Sequence, residues 1–371
     1  MLIIPCFYMK IKEKKWFFSL LGFLIVLLYV LFSSQPLKKE LQLLPEWTVN
    51  LEDSYLAHRD ADSHFVQNER EVLLPFLQGQ YLGAVYPSGE VAFIEQYAQR
   101  ASLSKKYWIP YEMNAKKTLV YPMDGGEPFL IKEEGFPFAI DSFLFTFFPG
   151  GNSFGSYDSE GQLLWSASQW SPISAFSVSD KAVLVGYIDG NLRLFSADGD
   201  LLFSSYPAGS KYEIIYGAAL SSDSQLLASI CGLEKQRFVL YTVDGENTKI
   251  IHHEYIDGEK TRARFMQFNA DMSKVFYDVD QGLAAFDIKT KTTNLVPLTG
   301  NICSMQNLSF ENTIAVLSKK NNSWYLSLLD AYDEIIASFS FTAESASLFT
   351  YENALFLGRD ASLSKMELVR K

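Results

Sequence analysis

The stretch AVLVGYIDGNLRLFSADGDLLFSS, residues 182–205, sets three apolar runs around two Asp-Gly turns, with Gly190 and Gly199 nine residues apart. Glycine reaches positive φ at no steric cost, so Asp-Gly between apolar runs marks a tight hairpin. The pattern returns along the chain. Its first half is echoed at 80–94 (QYLGAVYPSGEVAFI), 144–157, 226–241, 274–287, 314–330 and 354–369. Its second half is echoed at 118–131, 156–168 and 239–251, and more weakly at 284–298 and 326–340. The turns of this second half fall near Gly125, Gly161, Gly199, Gly245, Thr290 and Tyr332, in steps of 36, 38, 46, 45 and 42 residues. Such a pitch fits a repeated unit of four short antiparallel strands.

A chain of such units closes into a ring of blades, and residues 45–371 are expected to form an all-β propeller. FLFTFF at 143–148 is apolar on both faces, as an inner strand packed between neighbouring blades must be. NLRLFSA at 191–197 alternates, as a strand nearer the rim does. The last copy supplies the second and third strands of a blade and then stops. PEWTVNLED at 45–53 resembles the outer strand EGQLLWSAS at 160–168, so an N-terminal strand is expected to complete the C-terminal blade, with Trp47 buried against MELV at 366–369. This count favours seven blades, with an insertion in the first around QRASLSKKYWIPYEMN, residues 99–114. Eight result if that insertion and residues 54–75 form a degenerate blade of their own.

Hydrophobic residues at 48% with 29 Phe and 20 Tyr describe a folding chain biased toward strands. Residues 1–32 hold four Lys and one Glu, which leaves −14 on the remainder of a chain whose net charge is −11. An acidic domain of that kind repels phosphate backbones, which argues against nucleic-acid binding. The three cysteines, Cys6, Cys231 and Cys303, form no C-x-x-C pair. By the repeat count the fifth blade separates Cys231 from Cys303, beyond the roughly 7 Å Cα reach of a disulfide, so no bond between them is expected.

Residues 16–32, WFFSLLGFLIVLLYVLF, carry no charge and as a helix span roughly 26 Å. Lys10, Lys12, Lys14 and Lys15 precede them, which directs the N-terminus to the cytoplasm. The reading is a cytoplasmic segment 1–15, an uncleaved transmembrane anchor 16–35, a tether 36–44 and an extracytoplasmic propeller 45–371. A cleaved signal peptide is the alternative, but bulky Leu31 or Phe32 would stand at its −3 position, and no Cys follows for lipid attachment. The expected location is the bacterial inner membrane, with the propeller on the periplasmic side.

The repeat resembles the WD-repeat and PQQ-like propeller superfamily. GQLLWSAS at 161–168 is similar to the PQQ-like blade ending, in which Gly precedes an apolar pair and Trp. ALSSDSQLLASI at 219–230 and FNADMSKVFYDV at 268–279 resemble the WD-repeat turn, with Ser in place of the usual Gly in both and no WD dipeptide. The layout is similar to that of the propeller lipoprotein of the bacterial outer-membrane assembly machinery. PQQ-dependent dehydrogenases of this superfamily use a disulfide of adjacent cysteines, an aromatic platform and a calcium site. This chain has no Cys-Cys pair, so no cofactor is expected.

Few residues carry a chemical signal. His252 and His253 are adjacent and would point to opposite faces of a strand, which prevents joint metal ligation, and His58 and His64 stand apart. Asp278 and Asp280 in FYDVDQG share a side but fall short of a calcium loop, so a carboxylate-rich turn is the plainer reading. GGNSFGS at 150–156 lies between strands and reads as a hairpin, not a phosphate cradle. The one local cluster of basic and aromatic residues lies at 99–117. There Arg100, Lys105, Lys106, Tyr107, Trp108 and Tyr111 form a candidate partner-binding protrusion, flanked by Lys116 and Lys117 of the same cluster, with a hairpin packed on the disc as the plainer alternative. The expected function is a non-enzymatic interaction platform for unidentified protein partners, in envelope assembly or in a membrane complex. The alternative is a sensing or enzymatic propeller with its site in the central channel.

Overall fold

The computed structural model describes residues 18, 20–29, 41–59, 72–113, 115–207, 214–233, 235–244, 247–258 and 261–370. The chain divides into two units, one of residues 1–42 with 370–371 and one of residues 43–369. In the first, residues 18 and 20–29 are helical with exposed side chains. Among the described residues no helix is long and apolar enough to cross a membrane. The expected anchor, residues 16–35, falls partly outside the described residues, as do His64 and most of the tether.

The second unit is an eight-bladed propeller. Blade 1 holds Leu74–Gln78, Tyr81–Val85 and Val91–Gln96, and blade 2 runs from Arg100–Leu103 to Phe129–Ile131. Blade 3 spans Phe136–Ile140 to Leu163–Ser168, blade 4 Ile173–Ser179 to Leu201–Ser205, and blade 5 Ile215–Leu220 to Asn247–Tyr255. Blade 6 spans Met266–Phe268 to Thr292–Pro297 and blade 7 Asn301–Asn307 to Ile335–Thr342. Blade 8 takes Ala346–Tyr351, Ala354–Arg359 and Ser362–Arg370, and Leu41–Asn50 beside the last of these. The first strands of neighbouring blades lie side by side around the centre, and Leu74–Gln78 meets Ala346–Tyr351 where the ring closes.

Seven blades is therefore corrected to eight. The segment 99–114 is not an insertion: it supplies Arg100–Leu103 and Tyr107–Tyr111, the first two strands of blade 2. These strands are short, and their charges and Pro110 hide the alternation. Reading past them joins the inner hairpin of blade 1 to the outer hairpin of blade 2. Blade 1 also lacks a described outer strand. Helix α1, Leu51–Arg59, packs on its third strand instead. Asn50 caps this helix, its Oδ1 accepting from Glu52 N at 3.0 Å and Asp53 N at 3.3 Å. Leu51 is fully buried, and the His58 ring nitrogens lie 2.9 Å from Ser54 O and 3.1 Å from Val91 O.

The ends meet as expected, through a Thr48–Ser364 hydroxyl contact of 2.9 Å and a Lys365–Glu46 ion pair of 2.6 Å. Trp47 is the exception to that expectation. It is half-buried, edge-on to Phe356 at 5.8 Å, and its Nε1 donates to Pro87 O of blade 1 at 3.0 Å. An outer strand turns one face to the next blade, so a large ring there reaches across the seam. Trp165 on the outer strand of blade 3 does the same, donating to Ala197 O of blade 4 at 2.9 Å. Gly199 lets it approach: a Cβ there would stand 2.5 Å from the indole. Inside, FLFTFF behaves as expected, with Leu144, Phe145 and Thr146 all buried. Hydroxyls stitch the innermost strands together. Ser102 accepts from Ala139 N at 2.8 Å, and Ser177 accepts from Leu220 N at 3.0 Å.

The two WD-like turns join the first and second strands of blades 5 and 6. The residues in left-handed conformation are Ser224 (φ 63) and Met272 (φ 58), so Met, not Ser, stands at the usual glycine position of the second turn.

Candidate functional site

The expected protrusion is dispersed along blade 2. Register pairs Arg100 with Tyr111 and Leu103 with Trp108, so the six residues occupy both ends of one hairpin. Tyr107 is buried, edge-on to Phe129 at 5.7 Å, and Trp108 stacks on Tyr121 at 4.0 Å and lies 5.5 Å from Phe93. These rings are core. Lys105 and Lys106 are exposed at the turn between the first and second strands, with the Lys106 ammonium 5.2 Å from the Tyr107 ring. Arg100 and Tyr111 stand at the opposite end.

That opposite end belongs to the face built from interblade linkers and the turns between second and third strands, here the upper face. Two features mark it. The first is a cavity of about 610 Å³ on blade 2, lined by Arg100, Tyr111, Glu112, Lys116, Lys117 and Thr118 among others. The second is Trp170, 99% exposed on the linker between blades 3 and 4. The linker is held from both sides. Gln169 N donates to Asn152 O (3.0 Å), Asn152 Nδ2 to Gln169 O (2.7 Å), Ile173 N to Gly151 O (2.8 Å) and Ile188 N to Pro172 O (3.0 Å). A rigid backbone thus presents a solvated indole, and Ile188 on the adjoining turn is 46% exposed. Sequence reasoning missed Trp170; it counted Lys116 and Lys117 in the 99–117 cluster but did not separate them, with Arg100, from Lys105 and Lys106. SQWSP reads as an ordinary linker, and the two lysines meet Arg100 only through the folding back of one turn.

The lower mouth of the channel holds a cavity of about 460 Å³, lined by Asp141, Ser177, Ser179, Asp180, Gln267 and Asn269 among others. Two carboxylates meet there with amides and hydroxyls. Among the described residues no group of three or more His, Cys, Asp or Glu is placed to hold a metal ion. His253 is exposed and His252 stacks on Phe286 at 4.6 Å, on opposite faces of the outer strand of blade 5. GGNSFGS forms the turn and third strand of a blade 3 hairpin, as expected.

The Asp278–Asp280 pair is bound to arginines. Asp278 is fully buried, accepting from Arg262 Nη2 at 2.8 Å and Phe265 N at 3.0 Å. Arg264, also buried, donates to Asp278 O at 2.9 Å and to Gln236 Oε1, and lies 4.0 Å from Asp280. Burial holds the Arg264 guanidinium below its ordinary pKa, against the carboxylates that oppose this. The network ties blade 5 to blade 6 around the buried Asp278 carboxylate, whose ionic partner Arg262 reaches it from the solvent side with 43% of its side chain exposed.

Eight sheets of this order, closed by an N-terminal strand, define a β-propeller protein with its marked surface on the linker face. The sequence pattern of a beta-propeller protein family matches residues 9–371, and the chain belongs to that family. A protein of Treponema pallidum (strain Nichols), described as uncharacterized, is 31% identical over 361 residues, 97% of this chain and 96% of that one. BamB from Moraxella catarrhalis superposes with a TM-score of 0.60 at 11% identity, covering 88% of this chain and 100% of that one. The computationally designed Ika8 protein gives a TM-score of 0.56 at 14% identity, covering 82% and 98%. At these identities the likeness is one of fold.

Proposed function

We propose that this protein is a non-enzymatic interaction platform, tethered to the inner membrane by its N-terminal segment, with the propeller outside the cytoplasm. Trp170 carries the reading. An indole 99% exposed on a linker held by four backbone or side-chain bonds loses little entropy on binding, and such rigid aromatic anchors dominate interfaces. The uncharged run 16–32 behind four lysines supports the tether, which would raise the effective concentration of membrane partners. The layout shared with the outer-membrane assembly propeller favours envelope assembly as the process. Affinity purification from detergent-solubilised membranes, with mass spectrometry of co-eluting proteins, tests the platform. A partner retained by the natural chain and lost with Trp170→Ala is the expected result. Identical recovery with both would remove Trp170 from the interface. A reporter active only outside the cytoplasm, fused after Lys371, should be active, and silence would overturn the topology.

A further inference from the structure

We propose that the upper cavity of blade 2 is a binding site for a phosphate-bearing anion. The inference does not rest on the platform reading. Three cations, Arg100, Lys116 and Lys117, line the cavity, and Glu112 is the one carboxylate among its lining residues. This is a local reversal of sign in a chain of net charge −11.

The site is also built on fixed elements. Arg100 opens the first strand directly opposite Tyr111 in the second, and its guanidinium is 5.8 Å from the centre of the Phe136 ring of blade 3. Gln99 Oε1 accepts from Met113 N at 2.9 Å, tying the linker to the turn. Gly135 N donates to Ala115 O at 3.3 Å, tying the turn to the following blade.

A second observation is independent of charge. Thr118 lines the same cavity, is only 3% exposed, and its Oγ1 has no hydrogen-bond partner among the described residues. A buried hydroxyl left without a partner is destabilising, and a ligand oxygen would satisfy it. A planar guanidinium fork, two ammonium donors and a hydroxyl suit the several oxygens and negative charge of a phosphate group better than a single carboxylate. At about 610 Å³ the cavity admits more than the phosphate itself, so the ligand is an ester or diphosphate of small-molecule size or a phospholipid headgroup.

The test uses the full chain in a neutral detergent or reconstituted beside vesicles. Calorimetric titration with inorganic pyrophosphate probes the free-phosphate source, and flotation with phosphatidylglycerol against phosphatidylcholine vesicles probes the headgroup source. Saturable binding in either arm is expected. Lys116→Gln with Lys117→Gln should weaken it about tenfold or more, since two charge-assisted bonds are lost. The charge-matched pair Lys105→Gln with Lys106→Gln, at the other end of the hairpin, should leave it within about twofold. Thr118→Val keeps the volume and removes the hydroxyl, and should weaken binding with no loss of melting temperature. Absence of binding in both arms overturns the proposal. So does equal weakening by the two lysine pairs, which would mark diffuse surface attraction.

Discussion

Single residues in this propeller hold conformations and protonation states that can be tested directly. Met272 sits at φ 58, a left-handed conformation that costs a non-glycine residue on the order of 1 kcal/mol. Met272→Gly is therefore expected to raise stability by about 0.5–1 kcal/mol in urea denaturation. Ser224→Gly should gain nothing, because Ser224 Oγ also bonds Ser179 Oγ of the neighbouring blade at 2.5 Å. Burial pushes the Tyr187 phenol up to about 12, and burial raises those of Tyr157, Tyr241 and Tyr277 as well. Above about pH 10 the unfolded chain releases phenolic protons that the folded chain retains, so stability falls as pH rises. The melting temperature should hold from neutral pH to about 9 and drop beyond 10. A phenolate absorbance that rose with no loss of structure would contradict this burial. Much of this scale was legible in the sequence where glycine marked a turn, as at Gly199. It was not legible at Met272, where a side chain occupies a glycine's conformation, nor at Trp170, whose exposure depends on two turns distant in the chain.

At the scale of elements, closure rests on the strand Leu41–Asn50 and on Gln78. Gln78 is 1% exposed, and its amide donates to Ser345 O (3.2 Å), Ser345 Oγ (3.0 Å) and Asp360 O (3.0 Å), clamping blade 1 to blade 8. Gln78→Leu should cost about 1–3 kcal/mol, because buried acceptors lose their donor. Trp47→Ala should cost about 1–3 kcal/mol, below the figure for a fully buried indole, since the ring is half-buried at the seam. A chain starting at Leu41 should out-melt one starting at Asp53 and resist protease better. Equal behaviour would show that the strand contributes nothing to blade 8. The closing strand was legible because Trp47 and Trp165 sit in similar surroundings. The eighth blade was hidden by its neighbours. Arg100–Leu103 has only four residues, and the place outside Val91–Gln96 is taken by a nine-residue helix, too short for a periodicity to stand out.

Across the whole molecule, one full blade separates the two thiols of the propeller. Cys231 ends the second strand of blade 5, is 3% exposed and donates to Pro207 O at 3.3 Å, while Cys303 lies exposed on the first strand of blade 7. Blade 6, not blade 5, stands between them. Mass mapping without reductant should find no 231–303 cross-linked peptide. Alkylation of Cys231 should proceed only at the rate of global opening, so faster labelling would reveal local fraying of blade 5. Although the residue is exposed, partial desolvation of its sulfur raises the Cys303 thiol above its ordinary pKa, so its labelling should quicken as pH rises through 9. The join between Leu41–Asn50 and Ser362–Arg370 has a further bearing, on biosynthesis. The strand Leu41–Asn50 leaves the ribosome long before its partner, Ser362–Arg370. At about 5–20 residues per second it waits on the order of 15–60 s for its partner. During that wait it presents a solitary strand edge, and blades 2 to 7 can form before the ring has a way to shut. Completion of the circle therefore waits until Ser362–Arg370 has emerged, and the interval before it is when a chaperone would have most to hold.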